Sequence, residues 1–256
     1  MNICKALRIA PPAKSIIIKF LKKPIYFIYF ICNNSDMYHH SYNKKFAFTL
    51  AEVLITLGII GVVAAMTLPT LINDKQNKEL EAGFKKAYSI LQAAFNKMSY
   101  DEGQIINSEN YPSWNFVDKF KTYFQDTCEN NINCNITINN GDYKSYNNGH
   151  MELSWLDDGK IMLPDGMLIM IEDPYNGGKL YITVDVNGLK KRPNRWGYDL
   201  FTFQVTNDGK LLPGGAKGTD MEAEEFCSIS KTSIYNGFGC AYRAIAESDY
   251  FKKLPR

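Results

Sequence analysis

Residues 53–72 constrain this chain more than any other feature, because these 20 positions contain no charged side chain. A helix of about 20 apolar residues spans the roughly 30 Å hydrocarbon layer of a membrane. Lys44 and Lys45 precede the run, so the positive-inside rule places the N-terminus in the cytoplasm. We therefore expect one membrane-spanning segment over 48–72 and an extracytoplasmic domain over 73–256.

The six cysteines agree with this topology. Two precede the apolar run, and four follow it: Cys128, Cys134, Cys227 and Cys240. Four cysteines in an oxidising compartment suit two disulfides, and the short loops predict Cys128 with Cys134 and Cys227 with Cys240, free thiols being the alternative. The absence of a CxxC pair and of nearby histidines argues against zinc. A net charge of +2 with interspersed signs gives no reason to expect nucleic-acid binding.

Helical periodicity continues beyond the apolar run. Apolar residues recur at three-and-four spacing, at Leu80, Phe84, Ala87, Tyr88, Leu91, Phe95 and Met98. One long helix is therefore expected, with its second half packed on a soluble domain. A shorter helix is expected over 114–124, because phenylalanines repeat there every four residues.

Strand-like runs then alternate with turn signals between Asp157 and Leu212. The signals are DDGK at 157, PDGM at 164, YNGGK at 175, DVNG at 185 and NDGK at 207. Asp-Gly and Asn-Gly between such runs are typical of hairpins, so we expect an antiparallel meander of about four strands. The predicted fold class is α+β, a long N-terminal helix packed on an antiparallel sheet.

Residues 1–47 read as a leader rather than as part of the fold. Their apolar stretch is broken by lysines and a proline, and Met37 offers an internal start that leaves a short basic leader, MYHHSYNKKFA. We favour Met37 as the start, a genuine N-terminal extension being the alternative.

The junction NKKFAFTLAEVLITLGIIGVVAAMTLPTL resembles the N-terminal signature of type IV pilins and type II secretion pseudopilins. The basic leader, the small Ala47, the Phe48-Thr-Leu opening, Glu52 and the apolar run fill the places of that signature. The family usually has glycine where this chain has Ala47, and Phe46 occupies the second small-residue position.

This resemblance implies how the chain would be processed, located and assembled. A prepilin peptidase would cut between Ala47 and Phe48 and the new N-terminus would be methylated. The precursor would sit in the bacterial inner membrane with its C-terminal domain outside the cytoplasm, surrounded by lipid. Assembly machinery in that membrane would then build it, with other pilin or pseudopilin subunits, into a periplasmic or cell-surface filament.

Four further positions take expected roles from the same resemblance. Glu52 would meet the α-amine of Phe48 on a neighbouring subunit, and an unpaired charge at membrane depth is costly enough to require such a partner. The alternative is a solvated glutamate near a helix start, favoured by the helix dipole. The residues Gly58, Gly61 and Pro69 would let the helix loosen during assembly, or simply permit close helix packing.

A cluster of oxygen ligands follows the third predicted strand. Asp185, Asn187 and Asp199, together with Asn194, could converge on calcium, which some pseudopilins bind. Their spacing does not match an EF-hand loop, and ordinary Asx turns are the alternative.

The sequence shows no pattern of an enzyme such as HExxH or GxSxG, so we expect a structural subunit rather than a catalyst. Two alternatives stay open: a signal-anchored extracellular binding module or hydrolase, and a secreted protein whose signal ends near Ala65. The first residue of the mature chain distinguishes all three. The sequence does not indicate whether a filament would serve a pilus, DNA uptake or type II secretion.

Overall fold

The computed structural model describes residues 49–112, 114–125, 136–174 and 178–255. The helices are α1 (Leu50–Glu102), α2 (Asn115–Lys121), α3 (Ala223–Phe226) and α4 (Cys240–Ala246), followed by a 3₁₀ helix (Tyr250–Lys253). The strands are β1 (Gly159–Met162), β2 (Leu168–Glu172), β3 (Leu180–Asp185), β4 (Leu200–Val205) and β5 (Leu211–Pro213). The predicted α+β class is therefore confirmed.

Helix α1 runs for 53 residues and contains Pro69 without interruption. The chain divides into two compact units, Met1–Gly61 and Val62–Arg256. The buried residues of α1 all belong to its second half, at Leu80, Phe84, Ala87, Leu91, Ala94, Phe95 and Met98. The predicted amphipathic face is thus present, with Tyr88 half-buried at its edge.

The five strands form one antiparallel sheet in chain order, a meander with one strand more than predicted. The additional strand is β5, which pairs with β4 after the turn at 207–210. The PDGM signal makes the tight turn between β1 and β2, where the Leu163 amide donates to the Met167 carbonyl at 2.9 Å. The DVNG signal instead opens a long connection, residues 186–199, hereafter the β3–β4 loop.

The contacts of α1 define its direction along the sheet. Contacts in order along the helix are Gln76 to Arg192, Phe84 to Phe201, Tyr88 to Phe203 and Gln92 to Leu211. Strands β3 and β4 pair Asp185 with Leu200 at one end and Leu180 with Val205 at the other. The β3–β4 loop therefore lies beside Gln76, and the opposite end of the sheet lies beside Gln92.

The C-terminal region contributes to both faces of the sheet: Phe251 joins the core beneath α1, 5.8 Å from the ring of Phe84, and Phe238 packs on the opposite face. Trp196, Phe238 and Tyr181 pack together there, with Phe238 edge-on to Tyr181 at 4.9 Å between ring centroids. A disulfide joins Cys227 to Cys240, whose Cα atoms are 4.9 Å apart. The predicted partners Cys128 and Cys134 lie outside the described residues.

The predicted helix over 114–124 is present with narrower bounds, as α2. Its residues Phe116, Val117 and Phe120 are buried in the same core as the packed residues of α1 and the sheet. Their spacing places all three on one face of the helix, which explains the periodicity seen in the sequence.

Candidate functional site

The first half of α1 exposes its apolar side chains. Large apolar residues between Leu50 and Ile72 are from 42% exposed, at Val53, to 79% exposed, at Leu50. This stretch is long and apolar enough to cross a membrane, and none of it is buried within the chain. Exposing apolar surface to water costs about 25 cal/mol per Å², so this face requires a cover of lipid or of other chains.

A reciprocal hydrogen-bonded cap begins this helix. The Thr49 amide and hydroxyl donate to Glu52 Oε2 at 2.9 and 3.0 Å, and the Glu52 amide donates to Thr49 Oγ1 at 3.2 Å. This arrangement is a capping box, in which an N-cap residue and the residue three positions later satisfy each other's backbone donors. Glu52 therefore has a partner within its own chain.

Sequence reasoning missed this cap, although its T-x-x-E signal is visible at 49–52. The cap uses only the Thr49 amide and the residues after it, so cleavage before Phe48 would leave it intact. Ala47 and Phe48 themselves lie outside the described residues. The pairing of Glu52 with the α-amine of Phe48 stays a prediction, and the cap leaves the carboxylate's charge available for it.

The glycines of the apolar half stand in open space. A Cβ added at Gly58 or at Gly61 would meet no heavy atom within 4 Å. Among the residues that the structure describes, no contact therefore requires glycine at these positions. Glycines that leave a helix surface flat allow a second helix to approach closely, which is consistent with packing against other chains.

The predicted calcium ligands are Asp185, at the end of β3, and residues of the β3–β4 loop, and both carboxylates are fully buried. Asp185 Oδ1 accepts from the amides of Asn187 and Gly188 at 3.1 and 2.8 Å, and Asp185 Oδ2 accepts from the Tyr143 hydroxyl at 2.6 Å. Asp199 accepts from the amides of Asn194 and Arg195, both at 2.7 Å. Backbone amides of the loop thus donate to both carboxylates.

The two buried carboxylates repel each other. Burial raises the pKa of both carboxyls, and the Asp185 charge raises the pKa of Asp199 further, because two buried carboxylates repel. The Oδ1 atoms of Asn187 and Asn194 are buried without a hydrogen-bond partner among the described residues. Carboxylate and amide oxygens are the hard donors that calcium prefers, so the donor types are those of a calcium site.

A second acidic cluster was not singled out by the sequence. Burial, with the nearby Asp158 charge, raises the pKa of Glu172 to about 8 and that of Asp173 to about 7. Both side chains have buried carboxylate oxygens without a hydrogen bond in the described part of the chain. Single-sequence patterns could not reveal the cluster, because its charges come from the start of β1 and the end of β2. Within the described ranges, no three His, Cys, Asp or Glu side chains form a metal site.

Comparison with known proteins finds a match at the N-terminal part of the chain. Searches of curated proteins and of solved structures gave no significant match to this chain. A family model, described as a prokaryotic N-terminal methylation motif, matches residues 42–68, which include the start of α1 and its cap. The chain therefore carries, at the start of its exposed apolar helix, the N-terminal methylation signature of type IV pilins and pseudopilins.

Proposed function

We propose that this chain is a structural subunit of a type IV pilus or a type II secretion-like filament. One observation carries the proposal: the methylation motif coincides with a helix whose apolar half is exposed while its second half is buried on the domain. A plain membrane anchor needs no such motif. A filament subunit needs both, because the same helix must rest in lipid first and against other helices later.

The proposed sequence of events follows the signature. The precursor resides in the inner membrane with residues 73–256 outside the cytoplasm. Prepilin peptidase cuts between Ala47 and Phe48, and methylation keeps the new amine cationic. The membrane assembly machinery then moves the subunit into the filament, where apolar helix contacts replace lipid and Glu52 faces the Phe48 amine of a neighbouring subunit.

The mature N-terminus tests this proposal. Co-expression with a prepilin peptidase should yield a chain that begins at methylated Phe48, as seen by mass spectrometry of the N-terminal peptide. Ala47→Gly should be cut at least as well, since it restores the family's usual residue, and Ala47→Leu should be cut poorly. A peptidase-independent start near Met66 would instead identify a secreted protein, and an uncut leader would identify a signal-anchored module.

The same proposal includes calcium bound in the β3–β4 loop. Asp185, Asn187 and Asp199 would hold the ion, with Asn194 as a fourth ligand, and the ion would neutralise the two buried carboxylates. Its role would be to fix the loop rather than to catalyse a reaction. The supporting observation is the pair of unsatisfied amide oxygens beside two repelling acids.

A further inference from the structure

The β3–β4 loop places a basic surface close to the end of the apolar run. Gln76 lies one turn of α1 beyond Ile72, about 6 Å along the axis at 1.5 Å per residue. Its Nε2 donates to the Arg192 carbonyl at 3.4 Å. Arg192 and Lys191 border an open groove with Ile72 and Lys75 of α1. The loop thus reaches the level at which the apolar run ends.

This level corresponds to the headgroup layer of a membrane. A hydrocarbon core of about 30 Å within a bilayer of about 40 to 45 Å leaves about 5 to 8 Å of polar layer on each side. If the charge-free run fills the hydrocarbon core, as the proposed function requires, Ile72 marks its outer boundary. The loop then lies within the outer headgroup layer.

The charges at this level are mainly positive. Lys190, Lys191 and Arg192 are exposed, and the structure shows no ion pair for any of the three among the described residues. Lys75 is exposed and pairs loosely with Glu79 at 3.6 Å. The nearby acids are that Glu79, Asp74 in α1, and Asp165, which Lys86 already pairs at 2.6 Å.

We propose that this basic rim, defined as Lys75, Lys190, Lys191 and Arg192, binds anionic phospholipid headgroups on the outer face of the membrane while the subunit awaits assembly. Lysine and arginine beside a membrane surface are attracted to anionic lipid, and the attraction decays within a Debye length. Contact through the rim orients the domain on the membrane and must be released when the subunit enters a filament. The proposal rests on the membrane-anchored precursor of the proposed function.

Lysine acetylation in lipid nanodiscs tests the rim on the full chain. One set of discs contains phosphatidylcholine alone, and the other contains three parts phosphatidylcholine to one part phosphatidylglycerol. Acetylation of Lys190 and Lys191, measured by mass spectrometry, should be several-fold slower in the phosphatidylglycerol discs, and high salt should abolish the difference. Lys217, near the opposite end of the sheet, should react equally in both.

Matched variants extend the test. Lys190→Gln with Lys191→Gln and Arg192→Gln should reduce the phosphatidylglycerol-dependent protection of Lys75. Lys179→Gln with Lys210→Gln and Lys217→Gln removes the same charge at the other end of β3 and β4 and should leave that protection unchanged.

Four outcomes would contradict the proposal that the basic rim binds anionic lipid. The first is equal acetylation of Lys190 and Lys191 in both kinds of disc, and the second is loss of the Lys75 protection in both triple variants. The third is that inorganic phosphate added to phosphatidylcholine discs slows the acetylation as much as phosphatidylglycerol does. The fourth is that acetylation slows only when subunits assemble. A chain that fails to enter discs at all would contradict the membrane anchor of the proposed function instead. The two failures are therefore distinguishable.

Discussion

At the scale of single residues, Glu52 combines two properties that can be separated. Its carboxylate accepts two hydrogen bonds from Thr49, and it carries the only charge of residues 48–72. A glutamine can occupy the same place in a capping box, since its side-chain oxygen accepts the same bonds. Alanine removes both properties. The two substitutions therefore separate helix capping from charge.

We expect Glu52→Ala and Glu52→Gln both to reduce filament assembly strongly. A Phe48 amine with a pKa near 8 is largely cationic, and leaving a buried charge without its partner costs about 3 to 5 kcal/mol. Membrane insertion should persist, because removing a charge makes the helix more apolar. Immunoblots of sheared filament and membrane fractions measure both. Wild-type assembly by Glu52→Gln, with failure of Glu52→Ala, would show that only the cap matters.

Glu172 should make the stability of the domain pH-dependent. Its pKa in the folded chain is about 8, because burial and the charges of Asp158 and Asp157 disfavour its ionised form. The folded chain then holds a proton that the unfolded chain releases near its ordinary pKa, so the free energy of unfolding falls as pH rises from about 4.5 towards 8. Glu172→Gln should flatten this fall and be more stable than the wild type at pH 8. Urea unfolding between pH 4.5 and pH 8 measures the free energy of unfolding of both chains. If Glu172→Gln shows the same decrease with pH as the wild type, Glu172 is not the group responsible.

At the scale of secondary-structure elements, α1 is one helix in two environments. Its second half packs against the sheet through Phe84, whose ring lies 4.4 Å from that of Phe201. Its first half contributes no buried residue. The same helix therefore carries an exposed apolar segment and a buried packing face.

The β3–β4 loop should respond to calcium. Saturating calcium, at about 100 times the Kd, would add about 2.7 kcal/mol, or about 5 to 10 °C in Tm for a domain of this size. Thermal unfolding with calcium, magnesium or a chelator measures the shift, and magnesium should give less because it requires a tighter octahedral site. Asp199→Asn should lose the calcium response and Asp208→Asn, in the exposed β4–β5 turn, should keep it. An unchanged Tm of the wild type in calcium would contradict the proposed calcium site.

At the scale of the whole molecule, the domain should fold without the apolar half of the helix. No residue of α1 before Leu80 is buried, so a chain of residues 73–256 retains every described core residue. We expect this chain to be soluble, monomeric and folded, with the Cys227–Cys240 disulfide, and unable to enter membranes or filaments. Size-exclusion chromatography, circular dichroism and peptide mapping measure these properties. Aggregation or loss of folded structure would show that the first half supports the domain.

Much of this architecture follows from local patterns in the sequence. The charge-free run, the three-and-four spacing after it and the Asp-Gly turns predict the long helix and the meander, because helices and hairpins are stabilised by contacts between near neighbours along the chain. The short β5 escaped prediction because three residues carry too little pattern. The Thr49–Glu52 cap also depends on residues close together in the chain. Its T-x-x-E pattern is present in the sequence but was not used to predict it.

The sequence by itself determined the membrane-length helix, its motif and the fold class, since each depends on periodicity, length or spacing. Only the tertiary structure decided the direction of the packed half of α1 along the sheet, through contacts such as Gln76 with Arg192. It also decided that Asp185 and Asp199 are buried together and that Glu172 is desolvated. Burial and electrostatic interaction depend on distance in space, and residues far apart in the chain come close only when the strands pair and the core assembles.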